Sequence, residues 1–251
     1  MELWQKWFCQ GLNNFNIDID DEKIDKFKKY LDLILLNNQK FNLTGEKTKE
    51  EIAIKQFLDS LIPIIFIKKC GESFNIFNKS IDIGTGAGIP GIPLKIIFDD
   101  INLYLIESNQ KRASFLNEVI KKLEFKKTII LSGRGEELIR KDEFKEILRE
   151  KFSSVFARWV LKIPGIFELT SPFTKINGKI FLWKGLDEID LIKKSENFLI
   201  DLGLIIEEIY NYELPYFKSE RILLVLRKIE TTPEKYPRSF KRIKKLSNLF
   251  Q

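Results

Sequence analysis

Residues 81–91 read Ile-Asp-Ile-Gly-Thr-Gly-Ala-Gly-Ile-Pro-Gly. A short apolar strand ends near Ile83 and runs into Gly84, Gly86 and Gly88. Glycine adopts the left-handed backbone a tight turn needs and lets the main chain come close to a ligand. A strand, a glycine turn and then a helix is how α/β proteins accommodate a nucleotide-like molecule. The string Gly86-x-Gly88-x-x-Gly91 also fits the dinucleotide pattern, but a lone match of that kind is weak. Counted from the strand end, the spacing is G-x-G-x-G preceded by Asp82. Pro90 and Pro93 fall where the first turn of a helix tolerates proline.

A second apolar run, Asn102–Ile106, ends in Glu107. This is close to the roughly 20-residue spacing at which an acid reaches ribose hydroxyls. Both NAD and S-adenosylmethionine carry that ribose, so Glu107 supports an adenosine ligand without choosing between them. Further on, Gly135 and Glu136 follow a third strand, where they could offer a backbone N–H and a carboxylate to an adenine edge, or simply open a helix whose dipole favours Glu136 and Glu137. Arg158 closes a fourth strand at the carboxyl edge of the sheet, where substrates enter.

The elements needed to bring these residues together are legible as a change of texture. Residues 1–70 read as helical: Asp25–Leu36 carries an apolar stripe at helical spacing. Thr48 with Glu51 forms a capping box that opens a second helix through about Ile67, with a turn at Phe41–Gly45 between them. From Ser80 onward, apolar runs near 80–83, 102–106, 128–131, 154–157, 179–183, 204–212 and 221–228 read as strands. Helices fall near 90–98, 111–123, 136–149, 162–171 and 186–198. Such alternation predicts an α/β fold with a seven-stranded, doubly wound, mostly parallel sheet. Pro215 leaves no room for a helix between the last two strands, so they should pair antiparallel. Residues 71–230 form this domain, behind a helical appendage at 1–70 and before a basic tail at 231–251.

Composition narrows the chemistry. The 251 residues contain no histidine, which excludes Ser-His-Asp and Cys-His nucleophiles and His-ligated zinc. Cys9 and Cys70 form no CxxC and no disulfide framework, and are expected as small buried residues in a reducing cytoplasm. No apolar stretch approaches the length of a membrane span, and no metal site is expected. The net charge is +6, and most of it lies in the tail. There Lys235, Arg238, Lys241, Arg242, Lys244 and Lys245 face Glu234 alone, with Tyr236, Phe240 and Phe250 among them. Such a segment fits contact with nucleic-acid phosphates or a solvated end. On these residues, three readings stand: a methyltransferase, an NAD(P)-dependent oxidoreductase, and a non-catalytic RNA-binding protein on a methyltransferase scaffold.

Several motifs in order carry a resemblance. They are Asn42-Leu-Thr44, Phe57-Leu-Asp-Ser-Leu61, Ile81 through Leu94 with its two prolines, Ile106-Glu-Ser108, Lys111-Arg112, Arg134 with Glu136-Glu137, Ala157-Arg158, Trp183-Lys-Gly185, Glu220 through Val225, and Thr232 through Arg238. Over about residues 30–238 the chain resembles the bacterial 16S ribosomal RNA guanine-N7 methyltransferases, the RsmG/GidB family. The resemblance implies a Rossmann-like methyltransferase domain. It implies methyl transfer from S-adenosylmethionine, leaving S-adenosylhomocysteine, to a guanine N7 in 16S rRNA, free or in the 30S subunit or its assembly intermediates. Gly84, Gly86, Gly88 and Ile89 would then line the cofactor, Glu107 would hold its ribose, and Gly135 and Glu136 would flank its adenine. Arg158 would lie near the methionine end and orient the substrate. Lys111, Arg112, Lys184 and Arg221 become RNA-contact candidates, joined by Lys235, Arg238, Lys241 and Arg242 of the tail. A monomer suffices for all of this. The family's Arg-His pair is Lys55-Gln56 here, its Pro after Gly-Thr-Gly is Ala87, and its Ala after Arg158 is Trp159, a side chain expected in the core, with a stacking platform for a base as the alternative.

Overall fold

The structure is a computed structural model that describes residues 1–249. Phe250, one of the tail aromatics, lies outside the described residues. Seven strands form one sheet: β1 (Lys79–Ile83), β2 (Asn102–Glu107), β3 (Thr128–Ser132), β4 (Phe152–Arg158), β5 (Thr174–Lys184), β6 (Leu204–Leu214) and β7 (Ser219–Lys228). Their spatial order is β3-β2-β1-β4-β5-β7-β6. All neighbours are parallel except β7, which runs antiparallel to both β5 and β6. The order reverses between β1 and β4, so the carboxyl ends of these two strands flank the crevice where doubly wound sheets bind ligands. The connections from β1 to the helix Gly91–Ile97 and from β4 to the helix Gly165–Thr170 start at those two strand ends.

Strand alternation divides the interior into two cores. Phe156, Phe181, Trp183, Leu223 and Val225 face the N-terminal helices. Val155, Ala157, Ile180, Leu182, Leu224 and Leu226 face the other layer. β4 is buried at every residue, as the central strand of a doubly covered sheet should be.

The helix Asp21–Asn38 is opened by Asp20, whose side chain accepts from the Lys23 N–H. Its buried stripe of Phe27, Tyr30, Leu31 and Ile34 meets Phe8 of the helix Leu3–Asn14 and Phe57. The Phe8 and Phe27 ring centroids lie 4.8 Å apart, and Tyr30 stacks on Phe57 at 5.1 Å. Residues 1–30 therefore complete the core over the sheet.

Several elements differ from the sequence reading. Thr48 caps as expected, accepting from the Glu51 N–H, but the helix then widens into a π segment at Ile52–Leu58 and restarts at Ile62–Lys69. The single helix expected over 136–149 is two, Gly135–Leu138 and Asp142–Leu148. The stretch 186–198 is a 3-10 turn followed by Ile189–Lys194 and Glu196–Asp201. Apolar periodicity persists through such breaks because both pieces present one face to the same core. Cys9 is half-buried and Cys70 exposed, which corrects the expectation that both are buried. Cys70 follows the last turn of its helix, where Lys68, Lys69 and Gly71 keep the chain at the surface.

Over its described part the tail packs against the domain. Tyr236 is buried, and Arg238 pairs with Glu168, donating Nε–H to both carboxylate oxygens at 3.0 Å. The helix Phe240–Leu249 seats Ile243 against Gly165, whose absent side chain makes the close approach possible. Phe57 sits where the two N-terminal helices and the π segment meet. Phe57→Ala should lower unfolding free energy by about 3–5 kcal/mol, measured by urea denaturation.

Candidate functional site

The glycine turn is held from below and from the side. Gly84, Gly86 and Gly88 all have positive φ, at 69°, 61° and 96°. Underneath, Asp82 is fully buried; its Oδ2 accepts from Thr85 Oγ1 at 2.6 Å and from the Gly91 N–H at 2.9 Å. These bonds tie the start of the turn to the start of the next helix. The other Asp82 oxygen is buried without a partner, and burial pushes the carboxyl pKa up to about 7. From the side, the Gly84 and Thr85 N–H groups donate to the Ile106 carbonyl. Glu107 completes the strap: Oε2 accepts from the Gly86 N–H at 2.9 Å and Oε1 from the Asn109 N–H at 2.7 Å. From above, the buried Tyr30 hydroxyl donates to the Ala87 carbonyl at 2.6 Å.

The turn forms one wall of a cleft of about 400 Å³ whose lining also includes Thr44, Gln56, Ile89, Arg112 and Arg158. Arg158 is buried at the end of β4. Its Nη2 lies 2.7 Å from Asp59 Oδ2 and donates to the Lys55 carbonyl at 2.6 Å, while Nη1 donates to Gln56 Oε1 at 2.9 Å. A guanidinium has five N–H donors, so one Nη1 hydrogen and the Nε–H remain. The Nε is buried and unpartnered. Asp59 is fully buried and also binds Arg221 Nη1 at 2.6 Å and the Tyr212 hydroxyl at 2.6 Å. The Tyr212 pKa is pushed up by burial and by the Asp59 charge, so it remains a donor.

The candidate residues thus divide. Gly84, Gly86, Ile89, Arg112 and Arg158 line one cleft. Gly88 lies beneath it, packed against Ile92, Leu116 and Tyr30. Glu107 reaches the turn by direct bonding, and each of its oxygens keeps a further lone pair. Gly135 and Glu136 open the helix after β3, next to the end of β2, where the Gly133 N–H donates to the Glu107 carbonyl. Glu136 is buried, its Oε1 lacks a partner, and burial raises its pKa. Lys111 is exposed, and Arg112 donates to the Asn42 carbonyl at 3.2 Å. Lys184 is held by Glu188 at 3.0 Å, Arg221 by Asp59 and Arg238 by Glu168, so these three cations already serve the fold. Lys235, Lys241 and Arg242 are exposed.

Trp159 corrects the expectation that it lies in the core. It is 71% exposed at the cleft rim, with φ 57°. The left-handed backbone turns it away from the sheet that holds Arg158. The missed members of the site are Asp59, Gln56 and Thr44. The Leu-Asp-Ser motif contained the first, but its contact with Arg158 crosses most of the domain and has no local signature.

These features suit an adenosine-bearing ligand. A Cβ at Gly86 would meet nothing within 4 Å, so that face of the turn opens on the cleft, and Glu136 supplies an unsatisfied acceptor. Comparison with known proteins decides the family. Residues 23–213 match the model of GidB, rRNA small subunit methyltransferase G. The chain belongs to the GidB family. It is 38% identical to the ribosomal RNA small subunit methyltransferase G of Acetivibrio thermocellus, over 93% of this chain and 92% of that one. Identity to the protein of the same name from Caldanaerobacter subterraneus subsp. tengcongensis is 39%, over 94% of each chain. GidB membership sets aside the oxidoreductase reading of the glycine turn. Among the described residues, no helix is long and apolar enough to cross a membrane, and no cluster of metal-ligating side chains occurs.

Two predictions follow from the turn. Gly86→Ala should fold, costing roughly 1–2 kcal/mol for its left-handed backbone, yet weaken cofactor binding at least tenfold by calorimetry, because its Cβ enters the cleft. Gly88→Ala should destabilise more, since its Cβ would stand 2.5 Å from Ile92 Cγ1. Asp82 gives a pH signature. Its folded pKa of about 7 lies above the unfolded value of about 3.9. The stability it contributes is fully present below about pH 4, is lost as the pH rises to about 7, and is then constant. Asp82→Asn should flatten that slope in urea titrations across this range.

Proposed function

We propose that this GidB-family methyltransferase uses S-adenosylmethionine to methylate N7 of a guanine in 16S rRNA, without a general base. The observation that carries the reading is the junction of two walls at the switch point. The glycine turn, strapped to Glu107, faces Arg158, which is held rigid by Asp59 and Gln56. Gly84, Gly86 and Ile89 would line the cofactor, Glu107 would accept from its ribose hydroxyls, and Glu136 would accept from its adenine. When bound, the cofactor supplies a methyl group already activated by a sulfonium charge.

The chain's own residues then have one task, which is to place the guanine. N7 carries an in-plane lone pair and no proton, so its attack releases nothing that a base must remove. A sequence without histidine suits such an acceptor. The uncommitted Nη1 hydrogen of Arg158 suits guanine O6, the partner arginine takes when it reads guanine. Holding the two reacting groups at near-attack distance supplies the acceleration. Lys111 and Arg112 beside the cleft, with Lys241 and Arg242 on the C-terminal helix, suit RNA phosphates.

Labelled methyl transfer to 16S rRNA and to 30S particles, followed by nucleoside analysis, should yield N7-methylguanine. Any other methylated nucleoside would refute the chemistry. Arg158→Ala should reduce turnover at least a hundredfold while the protein stays folded, because Arg221 still compensates Asp59. Unchanged turnover in that variant would remove Arg158 from the site.

A further inference from the structure

Trp159 stands between two cavities. On one side it lines the cleft with the glycine turn and Arg158. On the other it walls a second pocket of about 440 Å³, formed with Val160, Leu161, Leu191, Lys162 and Asp187. An indole that is 71% exposed, on a residue with φ 57°, is unfavourable twice over. It leaves a large apolar surface in water, and it holds a bulky L-residue in a sparsely populated backbone region. Its neighbours do not bury it: Trp159 joins neither hydrophobic core.

We propose that Trp159 is a stacking platform for an unpaired base next to the target guanine, and that the second pocket receives that base. The inference rests on reading the main cleft as the methyl-transfer site. Three observations support a base as the occupant. The pocket floor is apolar, from Val160, Leu161 and Leu191, beneath a flat aromatic wall. Its charge is balanced rather than positive: Glu188 neutralises Lys184 at 3.0 Å, and the lining holds one further acid, Asp187, and one further base, Lys162. Such a lining disfavours a phosphate and suits a neutral ring with amino donors. The backbone of the same RNA has a separate basic track. Ser247 of the C-terminal helix donates to the Lys162 carbonyl at 3.1 Å, placing that helix, with exposed Lys241, Arg242, Lys244 and Lys245, beside the pocket loop. Aromatic stacking tolerates any base, so Trp159 contributes affinity and placement rather than sequence choice.

The test compares Trp159→Phe, Trp159→Leu and Trp159→Ala for binding of 16S rRNA, both free and in 30S particles. One lost base–aromatic stack should weaken binding roughly tenfold. Phe should retain most of the affinity, while Leu and Ala should lose it, because Leu fills volume without a π face. Tryptophan fluorescence gives a second readout. Trp4 and Trp183 are buried and Trp7 stacks on Tyr216 at 4.4 Å, so quenching by RNA should vanish in Trp159→Phe. Equal affinity of all variants for both RNA forms, or quenching that survives in Trp159→Phe, would overturn the proposal. Both readouts are independent of methyl transfer. An inactive wild type that still shows the Phe-retained, Leu-lost pattern would therefore fault only the catalytic reading.

Discussion

One carboxylate holds the site to the fold. Asp59 lies between two strands' worth of arginine: Arg158 from β4 and Arg221 from β7 both reach its Oδ2. Tyr212 of β6 takes Oδ1, and Trp183 of β5 donates its Nε1–H to the Asp59 carbonyl at 3.0 Å. A single residue of the N-terminal region thus touches four neighbouring strands. A buried ion stripped of its partners leaves a desolvated charge behind, which costs several kcal/mol, and here two arginines share that duty. That penalty couples the helical region to the sheet in addition to their shared apolar core. The same contacts leave Arg158 little rotational freedom.

The two acids at the strand ends do different work because their surroundings differ. Asp82 is sealed under the turn with one oxygen unpartnered, and the low-dielectric setting pushes its pKa up to about 7. Glu107 sits at the turn's edge and accepts an N–H on each oxygen. One acid staples the loop internally while the other braces it from the neighbouring strand.

Much of this was legible in the sequence. The strand, the alternating glycines and the terminal acid of β2 are local features, because backbone conformation and strand spacing impose them residue by residue. The final pair of strands was readable because Pro215 leaves too few residues for a helix. The breaks in the helices were not, since both halves bury the same face and the period continues across the gap. Nor was the environment of Trp159. A large aromatic after a buried strand reads as core, and only the left-handed backbone at that position sends it outward. The partners of Asp59 were hidden for another reason. Arg221 lies 162 residues further on, and no periodicity links such positions.

That separation bears on how the protein is made. The N-terminal helices leave the ribosome first, and with them Asp59 and the hydroxyl of Tyr30 that later roofs the glycine turn. The turn, Arg158 and finally Arg221 follow in order. The charge at the centre of the site acquires its last partner only when β7 has been synthesised. A chain interrupted before that strand carries every glycine of the turn, yet lacks the counter-ion that completes its anchor. Its parts are dispersed from Thr44 to Arg221, so the cleft and its anchor are complete only once β7 has joined the sheet.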